Sequence, residues 1–116
     1  MADEGRPQES PIFIKTDEML MWLIRCTEKF PKSQRFKLAK RIEDAAFAFQ
    51  ELIQAAARGN DARALADADV QLALLKRRLR MAKSMELIAI GQYQHVAAMV
   101  TEIGRLLGAW LKRLKG

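Results

Sequence analysis

Cysteine, histidine and proline are scarce in this chain: its 116 residues include one, one and three of them, and only 7% are aromatic. A lone thiol, Cys26, closes no internal disulfide, so the fold does not depend on an oxidising compartment. Proline stands only at 7, 11 and 31, which leaves residues 32–116 without that helix breaker. No apolar run approaches the roughly 18–20 residues of a membrane span. The stretch from Met1 to Pro11 lacks the apolar segment of a secretory signal, and the expected location is cytoplasmic. Apolar residues make up 50% of the chain, enough for a core in a domain of this size and too many for general disorder. Acid is scarce in the second half: residues 70–116 hold 9 basic and 2 acidic side chains, against 11 and 12 over residues 1–69. The net charge of +6 is therefore a field of the C-terminal half. It points to an anionic partner, nucleic acid being the commonest, or else to a solvated face that keeps the protein soluble.

What is present is helical periodicity. Residues 1–11 carry Gly5, Pro7 and Pro11 without periodic apolar positions and read as a disordered tail, leaving 12–116 as one domain. Ile12, Phe13 and Ile14 read as an apolar lead-in folded over the domain. A first helix is expected from Thr16, its cap, to Lys29, with Leu20, Leu23, Ile24 and Thr27 on one face; Pro31 marks its stop at Phe30. Ser33 is placed to cap a second helix ending near Arg58-Gly59. Its seam is Leu38, Ile42, Ala45, Phe49, Leu52 and Ala56, widened by Phe36, Ala39, Ala46, Phe47 and Ile53. Gly59 suits a left-handed stop, and Asn60 or Asp61 caps the next helix.

A third helix spans Asp61 to Ser84 with two apolar stripes. One is Leu65, Leu72, Leu75, Leu79 and Ala82; the other is Val70, Leu74, Met81 and Met85. A helix of a lone bundle needs one buried face. The second stripe therefore packs against another chain, or else the core-facing stripe is wide and Met81 marks its rim. A fourth helix, from near Ala89–Gln92 to Leu114, steps through Tyr93, Val96, Val100, Ile103, Leu107, Trp110 and Leu114. Four such helices with short links describe an all-α, antiparallel up-down four-helix bundle.

The usual constellations of catalysis are missing. A di-metal bundle site needs several buried Glu and Glu-x-x-His pairs, whereas His95 is preceded at three residues by Gln92. Zinc needs clustered Cys and His. Cys26 lies beside Arg25, which would lower its pKa, yet no base or oxyanion pocket accompanies it. There is no phosphate-cradling glycine loop and no Ser–His–Asp set. The sequence implies no active site, metal or cofactor.

Cations dominate instead. Lys76, Arg80 and Lys83 follow at i, i+4 and i+7 and share a helix face, flanked by Arg77 and Arg78. Arg105, Lys112 and Arg113 extend the set along the fourth helix, with Lys115 beyond. Such a stripe suits a phosphate backbone read by charge and shape; favourable interaction with the helix dipole is the plainer reason for cations at 112–115. A second group, Lys32, Arg35, Lys37, Lys40 and Arg41, is followed at once by Glu43 and Asp44. With no aromatic counted as interleaved with the basic clusters, base stacking of the single-strand-binding kind is not expected. Gly104 and Gly108, at small-xxx-small spacing, each weaken a helix interior by about 1 kcal/mol relative to Ala. Close approach of another helix would offset that; simple tolerance in a long helix is the other reading.

The stretches Lys29-Phe30-Pro31-Lys32-Ser33-Gln34-Arg35-Phe36, Ala68-Asp69-Val70-Gln71-Leu72-Ala73-Leu74-Leu75 and Glu102-Ile103-Gly104-Arg105-Leu106-Leu107-Gly108-Ala109-Trp110-Leu111 resemble the four-helix-bundle family of 23S rRNA intervening-sequence proteins. That family includes the accessory variability determinant (Avd) of diversity-generating retroelements. The resemblance covers about residues 10–116 and implies a ring-like homo-oligomer of five protomers. It also implies a non-enzymatic subunit that binds the element's reverse transcriptase and template RNA, or an RNA–DNA hybrid, for mutagenic retrohoming. The expected nucleic-acid contacts are Lys76, Arg77, Arg78, Arg80, Lys83, Arg105, Lys112 and Arg113. The expected oligomer interface is Val70, Leu74, Met81, Gly104 and Gly108. The alternative is a protein–protein adaptor of the intervening-sequence type with no polymerase partner. No membrane partner is expected.

Overall fold

A computed structural model describes residues 10–115. The tail expected over 1–11 falls, apart from residues 10 and 11, outside the described residues. Helix α1 spans Pro11–Thr27, a single turn α2 spans Lys32–Arg35, and three long helices follow: α3 Leu38–Gly59, α4 Ala62–Ser84 and α5 Ile90–Lys115. All regular structure among the described residues is helical. Each long helix packs mainly on two others, α1 on α3 and α5, and α4 on α3 and α5. The four thus surround one core, a four-helix bundle with extents of 43 × 29 × 21 Å.

The seams expected from the 3–4 spacing supply most of the core, with Leu52, Tyr93, Trp110 and Leu114 partly buried at its margin. Leu65, Leu72, Leu75, Leu79 and Ala82 of α4 face Ile42, Phe49 and Ile53 of α3 and Val96, Val100, Ile103 and Leu107 of α5 across a closed core. Side-chain contacts between helices set their register. Trp110 meets Phe13 with ring centroids 6.1 Å apart, and His95 meets Trp22 at 5.5 Å. Gln50 donates to Asp17 at 3.0 Å, and the buried Thr27 hydroxyl donates to the Glu43 carboxylate.

Helix boundaries depart from expectation at three places, each for a local reason. First, α1 opens at Pro11, where a missing N–H and fixed φ are no handicap. Ile12 and Phe13 are therefore buried within its first turn and form no separate lead-in, and Thr16 is a mid-helix core residue with no capping role. Second, the helix expected from Ser33 is broken: α2 ends at Arg35, and non-helical backbone at Phe36 and Lys37 precedes α3. The break turns the chain so that both Phe30 and Leu38 enter the core while Phe36 is left 86% exposed. Phe47 likewise lies outside the seam it was expected to widen, exposed on α3.

Third, the left-handed stop after α3 is Asn60, at φ 50°, and Gly59 is still helical. Asn tolerates that conformation because its short polar side chain bonds locally. The start of α5 falls within the expected Ala89–Gln92 range, with half a capping box: the Ala89 N–H donates to Gln92 Oε1 at 2.8 Å. Between these, α4 starts where expected, with Asp61 Oδ1 accepting from the Arg63 and Ala64 N–H groups at 3.0 and 3.3 Å.

Candidate nucleic-acid interface

The turn of each residue about α4, roughly 100°, distributes the expected cations over three faces. Lys76, Arg80 and Lys83 lie on the flank toward α5. The Lys83 ammonium sits 5.0 Å from the centre of the Tyr93 ring, a cation–π contact. Arg78 lies on the opposite flank, where its Nη1 donates to the Arg41 carbonyl of α3 at 3.2 Å. Arg77 points outward between them. Lys76, Arg77 and Arg80 are exposed and have no carboxylate partner among the described residues.

The cations of α5 do not join that group. Lys83 above Tyr93 fixes one point of the α4–α5 register, and Lys112 stands 19 residues beyond Tyr93, about 28 Å along the helix axis. Lys112 and Arg113 are exposed near the opposite end of the bundle. Arg105 is paired within its own helix: its Nε and Nη2 donate to the two carboxylate oxygens of Glu102 at 3.2 and 2.6 Å, at a solvent-exposed site. That hydrogen bond, with the charge of Arg105, holds the Glu102 carboxyl below its ordinary range and raises the guanidinium's own pKa. Arg105 is thus the least available of the eight expected contacts.

The residues expected at an oligomer interface also separate. Val70, Leu74 and Met81 form an exposed apolar ridge on the outward face of α4, with Met85 beside it; Val70 is 55% and Met81 47% exposed. Arg77 falls on the same ridge, at i+3 from Leu74 and i−4 from Met81. The apolar residues of this ridge lie outside the core. Gly104 turns toward α4 of its own chain, where an added Cβ would stand 3.6 Å from Leu72 Cδ2, and Gly108 faces open space. Internal packing requires neither glycine.

Other chemistry is sparse. Burial pushes the Cys26 thiol up in pKa, the nearby Lys29 only partly opposing it. The lowering expected from Arg25 does not occur, since the opposing charge is that of Lys29 and the net shift is upward, and a protonated, buried thiol is a poor nucleophile. His95 lies against Trp22 with the ring planes tilted by 41°. Among the described residues no three His, Cys, Asp or Glu side chains gather as metal ligands, and no helix is long and apolar enough to cross a membrane.

Sequence reasoning missed one surface feature, Phe36. Its helical neighbours at i+4 and i+7 are Lys40 and Glu43, a polar register that a core aromatic would not share. Ala39 at i+3 is nevertheless buried, so periodicity alone was ambiguous and the break at Phe36 and Lys37 decides the outcome.

Fold and surface together define a four-helix bundle of net positive charge, with a cationic flank that has no carboxylate partner among the described residues and an exposed apolar ridge on one helix. The chain belongs to the bAvd-like family, whose model matches residues 12–114. No curated protein matches it.

Proposed function

We propose that this protein is a non-enzymatic accessory subunit of a diversity-generating retroelement that binds template RNA and the element's reverse transcriptase in support of mutagenic retrohoming. Membership of the bAvd-like family supports an accessory role of this kind. The observation that carries RNA binding is the exposed set Lys76, Arg77 and Arg80, free of carboxylate partners among the described residues. Rigid placement on one helix costs little ordering on binding, so these cations serve a phosphate backbone efficiently. The pairs Phe13–Trp110 and Trp22–His95 run in opposite chain directions, as do Thr27–Glu43 and Asp17–Gln50. They support an antiparallel up-down course. The ridge of Val70, Leu74 and Met81 supports assembly with further copies into a ring.

The test is RNA titration with the wild type and Lys76→Glu/Arg80→Glu across a salt series. Loss of two phosphate contacts makes the log–log salt slope shallower by about 1.4 for a single strand, with helicity unchanged. Unaltered affinity and slope would overturn the assignment. The apolar ridge also favours a second reading, a protein–protein adaptor. That reading requires capture of a protein partner that persists after nuclease treatment and is insensitive to this charge reversal.

A further inference from the structure

We propose that Phe36 is a stacking platform for an unpaired base, and that the α2–α3 corner around it binds single-stranded nucleic acid. The inference rests on the RNA-binding reading above and names the form of RNA that this part of the surface takes.

Three observations converge on that corner. Phe36 is 86% exposed, the most exposed of the large hydrophobic residues, whereas Phe13, Trp22, Tyr93 and Trp110 each lie against a ring or cation of the bundle. Between Glu28 and Glu43 the chain carries six basic residues and no acidic one. Of these, Lys40 is held by Asp44 at 3.0 Å, while Lys32, Arg35, Lys37 and Arg41 are exposed and have no carboxylate partner among the described residues. Finally, Arg78 of α4 donates to the Arg41 carbonyl, so the corner is continuous with the cations of α4.

A ring presented in water with cations on both sides in sequence matches a nucleotide strand, which offers a flat face and a phosphate at every unit. Duplex RNA keeps its base faces stacked inside and offers only backbone and groove to such a ring. An acidic peptide would satisfy the cations but brings a planar face only where it holds an aromatic. A lipid surface is less suited, because the turn carrying Phe36 is otherwise Lys32, Ser33, Gln34 and Arg35, with no second apolar side chain to enter it. A strand stacked on Phe36 continues past Arg41 to Arg78.

Fluorescence anisotropy with a labelled oligouridylate of about 12 nucleotides, and with an RNA duplex of the same length, tests this on the full chain. Phe36→Ala should weaken single-strand binding by about 5- to 100-fold and leave duplex binding unchanged, with Phe36→Trp restoring it. The position is exposed, so the substitution leaves the core intact, and circular dichroism verifies that. Equal affinity of Phe36→Ala and wild type for the single strand overturns the proposal, as does an equal loss on strand and duplex. So does a loss confined to phosphatidylglycerol vesicles or polyglutamate. If the wild type binds neither RNA, the proposed function itself fails. If it binds both, and Lys76→Glu/Arg80→Glu weakens them while Phe36→Ala does not, stacking alone is refuted.

Discussion

Thr16 is wholly buried on α1, and its hydroxyl has no hydrogen-bond partner among the described residues. A buried donor without a partner forfeits its hydration for nothing in return. Thr16→Val keeps the shape and removes the hydroxyl, so it should raise unfolding stability by about 1 kcal/mol, read as a higher urea midpoint at unchanged m-value. A lower midpoint would mean the hydroxyl is bonded in solution. Cys26 illustrates the linked case of a titrating group. The folded chain holds the thiol proton to higher pH than the unfolded chain does, because burial disfavours the thiolate. Above the thiol's ordinary value of 9.0 the unfolded state therefore sheds the proton first, and stability falls as pH rises. Comparing denaturation of the wild type and Cys26→Ala at pH values on either side of 9.0 isolates that contribution; parallel curves would remove it.

At the scale of the element, α4 is delimited by Asp61, whose carboxylate accepts two otherwise unpaired N–H groups. Asp61→Ala should destabilise the protein by about 1 kcal/mol, seen as a lower thermal midpoint, and Asp61→Ser should recover most of the loss. This cap was legible because Asn60-Asp61 sits between two periodic runs. The seam of α3 was equally legible from Leu38, Ile42, Ala45 and Phe49. Its true start was not. Residues 33–37 include nothing that forbids a helix, and the break arises because Phe30 and Leu38 both reach the core, a demand imposed by packing. Phe36 was consequently assigned to a seam from which the break excludes it.

For the whole molecule, the question is how charge and apolar surface are shared over a bundle with one closed core. The ridge of Val70, Leu74 and Met81 gives α4 an apolar outward face that a lone bundle does not use. Multi-angle light scattering should give a mass that is a multiple of 13.2 kDa. Met81→Glu, at an exposed site, should reduce it toward one chain with helicity retained. A wild type of single-chain mass would assign the ridge to another partner. Arg77 lies on that same ridge, so an assembled ring would draw it into the contact and leave Lys76 and Arg80 as the outward phosphate ligands.

Periodicity, the Asp61 cap and the concentration of cations after residue 70 specified a helical bundle, its core seams and its charge, because each depends on spacing along one helix. Which cations stand together was decided only by packing. Helix rotation sends Arg78 to α3 and Lys83 over Tyr93, and a break between two core anchors turns Phe36 outward. These outcomes follow from how separate helices meet, and no single helix encodes them.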